Sequence, residues 1–139
     1  MIVLDINVVS ELMRVDPEEQ VVNWLDRQAS AQLFLSAITV AELRYGVARL
    51  PDGKRKLALG GAVESMIIQD FDRRVLAFDE IAAGHYADMA AKRERVGRPI
   101  SMADAQIAAT CRSHDAVLAT RNLSGFENLN VELLDPWMA

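Results

Sequence analysis

Three acidic residues occupy positions at which carboxylates can gather in an α/β protein. Asp5 directly follows the apolar run Ile2–Leu4, which is typical of a short buried strand. Glu42 lies in the first turn of the helix predicted after the second strand, and Asp104 in the first turn of the helix predicted before the fourth. Ligands of open α/β sheets bind just outside the carboxyl ends of the strands. We therefore expect Asp5 and Glu42 to lie together at that edge, whereas crossover geometry alone does not place Asp104 there because its helix precedes a strand.

A cluster of carboxylates predicts a site for a hard divalent cation. Carboxylates held close together repel one another, and Mg²⁺ or Mn²⁺ relieves that repulsion because both ions prefer oxygen ligands. A cation in such a site can lower the pKa of a water molecule, orient it and stabilise a leaving oxygen. The predicted chemistry is therefore phosphodiester hydrolysis without a protein nucleophile.

Predicted strands and helices alternate along the chain. The strands are expected at residues 2–4, 33–36, 75–78, 116–119 and 131–134, and the helices at 8–14, 17–28, 39–50, 54–69, 80–96 and 101–114. This alternation predicts an α/β fold in which helices cover both faces of a mostly parallel sheet of about five strands. The length of 139 residues predicts one domain, residues 1–139.

Local signals predict where individual helices begin or bend. Asn7 is expected to cap the first helix, and Asp16 the second, with Pro17 at its first position. Gly60-Gly61 predicts a kink or break in the fourth helix. The alanine-rich helix at 101–114 should lie close on the sheet.

Charge and composition restrict the class of protein. A net charge of −5 argues against a protein that wraps nucleic acid by bulk charge. The single cysteine, Cys111, permits no internal disulfide and is expected to be buried and inert. With no apolar run long enough to span a membrane and no signal pattern, we expect a cytoplasmic protein without a membrane partner.

Each acid also has a structural interpretation. Asp5 could simply cap a helix, although a carboxylate placed directly after a buried apolar run is costly without partners. Thr39-x-x-Glu42 matches a capping box, and spacing alone favours that reading for Glu42. Ser101-x-x-Asp104 fits a cap as well as it fits a metal site.

Several motifs together resemble one known family. They are Ile2-Val3-Leu4-Asp5-x-Asn7-Val8, Ser36-Ala37-Ile38-Thr39-Val40-Ala41-Glu42-Leu43-x-x-Gly46, Ala103-Asp104-x-x-Ile107-Ala108-Ala109, Ala119-Thr120-Arg121-Asn122 and Pro136-Trp137. In this order and at this spacing they look like a PIN domain, most closely the VapC and FitB-like toxins of toxin–antitoxin pairs. The likeness covers essentially the whole chain and implies a Rossmann-like three-layer sandwich.

The resemblance implies a Mg²⁺- or Mn²⁺-dependent ribonuclease. The family's acids fall on Asp5, Glu42 and Asp104, of which Asp5 and Asp104 are expected to bind the metal while Glu42 positions water. A fourth position, often Asp in the family, falls on Asn122, and Thr120 is expected to support the site by hydrogen bonding.

Ile6 and Asn122 depart from the family pattern, and Arg121 brings a positive charge next to Asn122. Asn122 brings no charge, so one firmly held metal is expected rather than two. Ile6 stands where Thr or Ser is common and offers no hydroxyl to steady the acids. Arg121 follows the fourth strand and is expected either to pair with a site acid or to meet phosphate.

The resemblance also implies partners. These are an RNA substrate, a VapB/FitA-like antitoxin, a second copy of the chain in a homodimer, and operator DNA reached only through the antitoxin. Part of the apolar side of helices two to four is expected to receive an amphipathic antitoxin segment.

Other functions are compatible with the same residues. A haloacid dehalogenase-type phosphatase also begins with a strand ending in Asp, but that chemistry needs a second Asp where Asn7 stands. A non-catalytic α/β module is the alternative from another class, either receiver-like or a degenerate PIN fold kept for binding. Ile6 and Asn122 favour the degenerate case.

Overall fold

The computed structural model describes all residues from Met1 to Ala139. Its strands are β1 (Ile2–Leu4), β2 (Leu33–Ser36), β3 (Val75–Leu76), β4 (Val117–Ala119) and β5 (Leu133–Leu134). Its helices are α1 (Ile6–Leu12), α2 (Glu19–Asp26), α3 (Ala37–Ala48), α4 (Lys54–Ser65), α5 (Glu80–Arg95) and α6 (Met102–Ser113).

The five strands form one sheet in the order β3-β2-β1-β4-β5, and every pair is parallel. The predicted α/β class is therefore confirmed, with a sheet that is wholly rather than mostly parallel. The chain builds outwards from β1 through β2 to β3, and then returns to place β4 on the other side of β1. The reversal of strand order lies between β1 and β4, and such a switch point opens a crevice at the carboxyl ends of the strands.

Alternate residues of the central strand face two separate layers of core. Leu4 packs with residues from α1 to α4, whereas Val3 packs with residues from α5 and α6. This division follows from the two-residue repeat of a strand, and it makes a three-layer sandwich. The predicted close approach of the alanine-rich helix agrees with the structure, since Ala105, Ala108 and Ala109 are fully buried.

Three predicted helix starts were wrong. Asp5, rather than Asn7, is the N-cap of α1. The second helix begins at Glu19, because the Glu18 amide donates to Glu11 Oε2 (3.1 Å) and no side chain caps the helix. The third begins at Ala37, since Ser36 Oγ accepts from the Thr39 amide (3.1 Å).

The fourth helix is not broken at Gly60-Gly61, where a kink or break is expected. Helix α4 runs through both glycines and ends in a π-helical turn, Met66–Asp70. A Cβ atom at Gly60 would lie 3.3 Å from Val47 Cγ1, so the glycine permits a close approach to α3 instead of breaking the helix. No helix of the structure is both long and apolar enough to cross a membrane.

Candidate metal centre at the carboxyl edge of the sheet

Asp5 is buried at the point where β1 becomes α1. Only 4% of its surface is exposed. Its Oδ1 accepts from the Ile6 amide (2.8 Å), and its Oδ2 accepts from Thr120 Oγ1 (2.9 Å) and Asn7 Nδ2 (3.3 Å). Asp5 therefore caps a helix and belongs to a polar network at the same time. Because each carboxylate oxygen has two lone pairs, Oδ1 keeps one acceptor position that no group in the chain uses.

Thr120 is the residue that joins the two strands beside the switch point. It is fully buried and follows β4 directly. Besides donating to Asp5, its hydroxyl oxygen accepts from Asn7 Nδ2 (3.2 Å) and from the Asn122 amide (3.0 Å). Thr120 therefore lies against the Asp5 carboxylate, and its supporting role in a metal site stays a prediction.

Asn7 has a larger part in the site than sequence reasoning assigned to it. Its amide nitrogen donates to both Asp5 and Thr120, and its Oδ1 accepts from the Arg121 amide (3.2 Å). The prediction treated Asn7 as a helix cap and so missed this bridge. The available signal was the spacing Asp5-x-Asn7, which places an amide beside the first acid at the start of a helix.

Glu42 lies in the second turn of α3 rather than in its first, because the helix begins earlier than predicted. The capping-box reading of Thr39 and Glu42 is therefore wrong, since Ser36 is the cap. Glu42 Oε1 is buried without any hydrogen-bond partner in the chain. A buried acceptor left unpaired is costly, and such a group calls for an explanation beyond packing.

Asp104 lies in the first turn of α6, as predicted. Its amide donates to the N-cap Ser101 Oγ (3.1 Å), which holds the backbone, while its carboxylate makes no hydrogen bond or ion pair. The reciprocal half of a capping box, from the Ser101 amide to the Asp104 carboxylate, is absent. The side chain of Asp104 is therefore free to take an external partner.

The three acids act on one another electrostatically. Burial raises the pKa of Asp5 and the charge of Asp104 raises it further, against the lowering effect of its hydrogen bonds. Burial, followed by the charges of Asp5 and Asp104, raises the pKa of Glu42. Each of these two shifts thus includes the charge of another member of the predicted set, and the metal site itself stays a prediction.

The donor set fits a hard divalent cation. All three groups offer oxygen, Glu42 has an unpaired buried oxygen, and no Lys or Arg forms an ion pair with any of them. A cation would relieve both the repulsion and the unpaired acceptor. As the side chains stand, however, no three His, Cys, Asp or Glu residues converge as a group that could hold one metal ion.

Two further predicted residues lie at the edge of this network. Asn122 joins it through its backbone, while its side-chain Oδ1 accepts from the Gly125 amide (3.3 Å). The guanidinium of Arg121 forms no ion pair with an acid and lies 4.8 Å from the centre of the Trp137 ring. Ile6 brings only its amide to Asp5, and its side chain lines an adjoining cleft of about 360 Å³ that includes Glu42.

Comparison with known proteins gives a consistent result. The PIN domain family matches residues 2–131. The chain is 44% identical to VapC ribonuclease Y4jK of Sinorhizobium fredii, over 99% of this chain and 98% of that one. It is also 44% identical to Toxin FitB of Neisseria gonorrhoeae, over 99% of both.

The fold is shared with solved structures of the same kind. The structure of FitAB bound to an IR36 DNA fragment superposes with a TM-score of 0.90 at 44% identity, covering 99% of this chain and 96% of that one. Sequence and fold agree along almost the whole chain, so this chain belongs to the PIN domain family.

Proposed function

We propose that this chain is a metal-dependent endoribonuclease toxin of a toxin–antitoxin pair, with Mg²⁺ or Mn²⁺ as its cofactor. The observation that carries the proposal is the juxtaposition of Asp5, Glu42 and Asp104 in one negative field without an internal cation. The relatives named VapC ribonuclease and Toxin FitB support the same assignment.

The polar residues have separate roles in this proposal. Asp5 and Asp104 would hold the cation, which would supply positive charge to activate water and to offset charge on the scissile phosphate. Thr120 and Asn7 fix the orientation of the Asp5 carboxylate through their hydrogen bonds. Glu42 orients the attacking water through its unpaired Oε1.

Asn122 completes the site in a weaker way than an acid could. Its side-chain oxygen is used by the Gly125 amide, and it adds no charge. One firmly bound metal ion is therefore expected, and we propose that Asn122 contributes by shaping the turn after β4.

Two neighbouring clefts support an antitoxin partner. One of about 840 Å³ lies between α1, α2 and α4, with apolar walls that include Leu12, Val22 and Phe71. The second, of about 360 Å³, leads from Met13, which the two clefts share, to Glu42. We propose that an amphipathic segment of a VapB/FitA-like antitoxin fills this path and so covers the acids.

The remaining partners follow from the relatives. A FitAB complex bound to a DNA fragment supports contact with operator DNA through the antitoxin, and not through this acidic chain directly. We further propose a cytoplasmic single-domain chain that acts as a homodimer.

A degenerate, non-catalytic PIN fold is the second candidate. The absence of a converged group of three ligands, together with Ile6 and Asn122, favours it. The phosphatase alternative receives no support from a match to the PIN domain family.

The decisive experiment combines growth and cleavage. Expression of the chain should arrest growth, and co-expression of the antitoxin encoded beside it should relieve the arrest. The purified chain should cleave RNA with Mg²⁺ or Mn²⁺ and lose activity in EDTA.

Asp104→Asn tests the site itself. It should abolish both the arrest and the cleavage, whereas Asp115→Asn is the matched control. Asp115 is exposed and has a φ of 55°, a conformation that Asn adopts readily. Metal-independent cleavage, or full activity in Asp104→Asn, would contradict the mechanism, and metal binding without cleavage would favour the degenerate module.

A further inference from the structure

Arg121 carries a positive charge beside the acidic cluster but neutralises none of it. Its guanidinium carbon lies 4.8 Å from the centre of the Trp137 ring, within the range of a cation–π contact. The side chain makes no hydrogen bond and no ion pair within the chain. Asp5 has no cationic partner, and its pKa is raised rather than lowered.

The backbone of Arg121 is fixed to the site. Its amide donates to Asn7 Oδ1 (3.2 Å), and Asn7 donates in turn to Asp5. The preceding residue, Thr120, is buried and donates to the same carboxylate. The base of the Arg121 side chain is therefore held next to the network that orients Asp5, although the side chain itself is exposed.

Trp137 is presented by a turn at the same edge of the sheet. It follows β5, the neighbour of β4, and the Thr120 amide donates to Leu134 O (2.9 Å). The Trp137 amide donates to Asp135 Oδ1 (2.9 Å), and the Met138 amide donates to Asp135 O (3.0 Å). These two bonds define a tight turn with Pro136 at its second position, where proline favours a rigid backbone.

We propose that Arg121, held over Trp137, binds a phosphate of the RNA strand as it enters the site. The inference rests on the proposed ribonuclease function and adds the residue that binds the substrate backbone. A guanidinium lying over an aromatic ring still has donors available for phosphate. Trp137 is a positioning residue, because it acts on the RNA only through Arg121.

The arrangement suits an external anion better than an internal carboxylate. If Arg121 paired with Asp5 or Asp104, it would cancel the negative field that retains a cation. The cation–π contact with Trp137 stabilises the guanidinium without an ion pair to either acid. The acids thus remain available for metal while the arginine remains available for phosphate.

RNA binding measured apart from cleavage tests this proposal. The probe is a short fluorescein-labelled single-stranded RNA, and its anisotropy is measured in Ca²⁺ buffer with antitoxin-free protein over a range of salt concentrations. Arg121→Gln should raise the Kd about tenfold and reduce the salt slope by about 0.7, the value for one lost phosphate contact on a single strand. Arg121→Lys should restore the slope but only part of the affinity, since lysine lacks the planar fork.

The control is a second arginine in the same kind of contact. Arg49 lies 5.9 Å from the centre of the Tyr45 ring, at the end of α3. Arg49→Gln removes the same charge and should leave Kd and slope close to those of the unaltered chain. Equal effects of Arg121→Gln and Arg49→Gln would overturn the proposal, because they would indicate only a general charge effect.

The contribution of Trp137 is tested separately from the charge of Arg121. Trp137→Leu should raise Kd with the salt slope retained, and Trp137→Phe should lie between Leu and Trp. Since Trp137 also packs against the core, thermal unfolding is measured alongside, and Trp137→Phe decides the outcome if Trp137→Leu does not fold. Unaltered RNA affinity in a folded Trp137 variant would contradict the proposal that Trp137 positions Arg121.

The same samples separate this inference from the proposed function. A chain that binds RNA through Arg121 but does not cut it in Mg²⁺ or Mn²⁺ refutes the ribonuclease while the inference stands. A chain that cuts RNA equally well, with equal KM and affinity, in Arg121→Gln refutes the inference alone. A chain that binds no RNA refutes the inference directly.

Discussion

The two ends of helix α1 each bury an acid, and they treat it differently. Glu11, near the carboxyl end, is 8% exposed and accepts from Arg14 Nη1 (3.1 Å to Oε2) and from the Glu18 amide (3.1 Å). Asp5, at the amino end, is 4% exposed and accepts only from neutral donors. The charge that acts on it is that of another acid, Asp104.

The difference is between an acid whose charge is compensated within the fold and an acid whose charge is not. Glu11 receives a cation and a backbone donor from the chain, so its charge is compensated within the fold and connects α1 to the start of α2. Hydrogen bonds orient the Asp5 carboxylate, but no cationic side chain pairs with it. Burying a charge in this way is costly, and it is consistent with a partner supplied from outside.

The largest expected effect is on catalysis. Asp5→Asn should lower metal-dependent RNA cleavage by about 100-fold or more, because the residue proposed to hold the metal loses its charge. Glu11→Gln is the matched comparison from the other end of the same helix and should retain cleavage close to that of the unaltered chain. Initial rates at saturating Mn²⁺ measure both, and an equal loss in the two variants would contradict the distinction.

The second effect is on stability, and here the change at Glu11 should have a larger effect than the change at Asp5. Glu11→Gln should lower the free energy of unfolding by about 1–2 kcal/mol, because it weakens charge-assisted hydrogen bonds to Arg14 and to the Glu18 amide. Urea denaturation measures the loss, with the exposed Glu132→Gln as control. A loss no greater than that of the control would indicate that Glu11 is not a structural acid.

The third effect tests the repulsion among the acids. Glu42→Gln should raise the Tm of the metal-free chain by about 1–3 °C, since it removes a charge that Asp5 and Asp104 oppose. Addition of Mn²⁺ should stabilise the unaltered chain more than this variant, because bound ligand stabilises the folded state. A lower metal-free Tm together with an unchanged Mn²⁺ effect would argue against a shared field.

The smallest expected effect concerns Cys111 in the core, because the charge of Asp5 contributes to the pKa of its thiol. Burial, and then the charge of Asp5, raises the pKa of the Cys111 thiol from 9.0 to about 12. The folded chain therefore keeps a proton that the unfolded chain loses, so stability should fall as the pH rises from about 9 towards 12.

Asp5→Asn should make that alkaline loss slightly smaller, whereas Glu11→Gln should not change it. Urea titrations between neutral pH and the alkaline range measure the slope. In native protein at neutral pH the thiol should resist alkylation, as the prediction of a buried, inert cysteine requires. Rapid labelling of folded chain would contradict the burial of Cys111.

Residues next to strand ends were the most predictable part of the site. Asp5 directly follows a buried apolar run, and a parallel sheet places such residues at one edge whatever the exact strand lengths. The α/β class followed from the alternation of strands and helices for the same reason. Asp5 and Thr120 each directly follow one of two adjacent strands, and their proximity is a direct consequence of that topology.

Features that depend on contacts distant in sequence were not predictable from local patterns. The Asp16-Pro17 pattern predicts a helix start, but the helix begins at Glu19, and the Glu18 amide donates to the Glu11 side chain instead. Gly60-Gly61 predicts a kink or break, yet the helix continues through both residues, and Gly60 lies where a Cβ would meet Val47 of α3.

The bridging role of Asn7 could not be read from its own neighbourhood. It depends on Thr120 and Arg121, which come close only when β4 pairs with β1. The metal-binding and catalytic assignments of Asp5, Glu42, Asp104 and Asn122 remain predictions, which the experiments above are designed to test.

The pairing of β1 with β4 has a consequence for synthesis of the chain. Thr120 contacts Asp5 across 115 positions, so the two halves of the network meet only after most of the polypeptide has left the ribosome. While translation continues, β1 can pair with β2 but cannot acquire its second neighbour. A nascent chain therefore lacks the hydrogen bonds from Thr120 and Asn7 that together orient Asp5 until β4 has been made and has paired with β1.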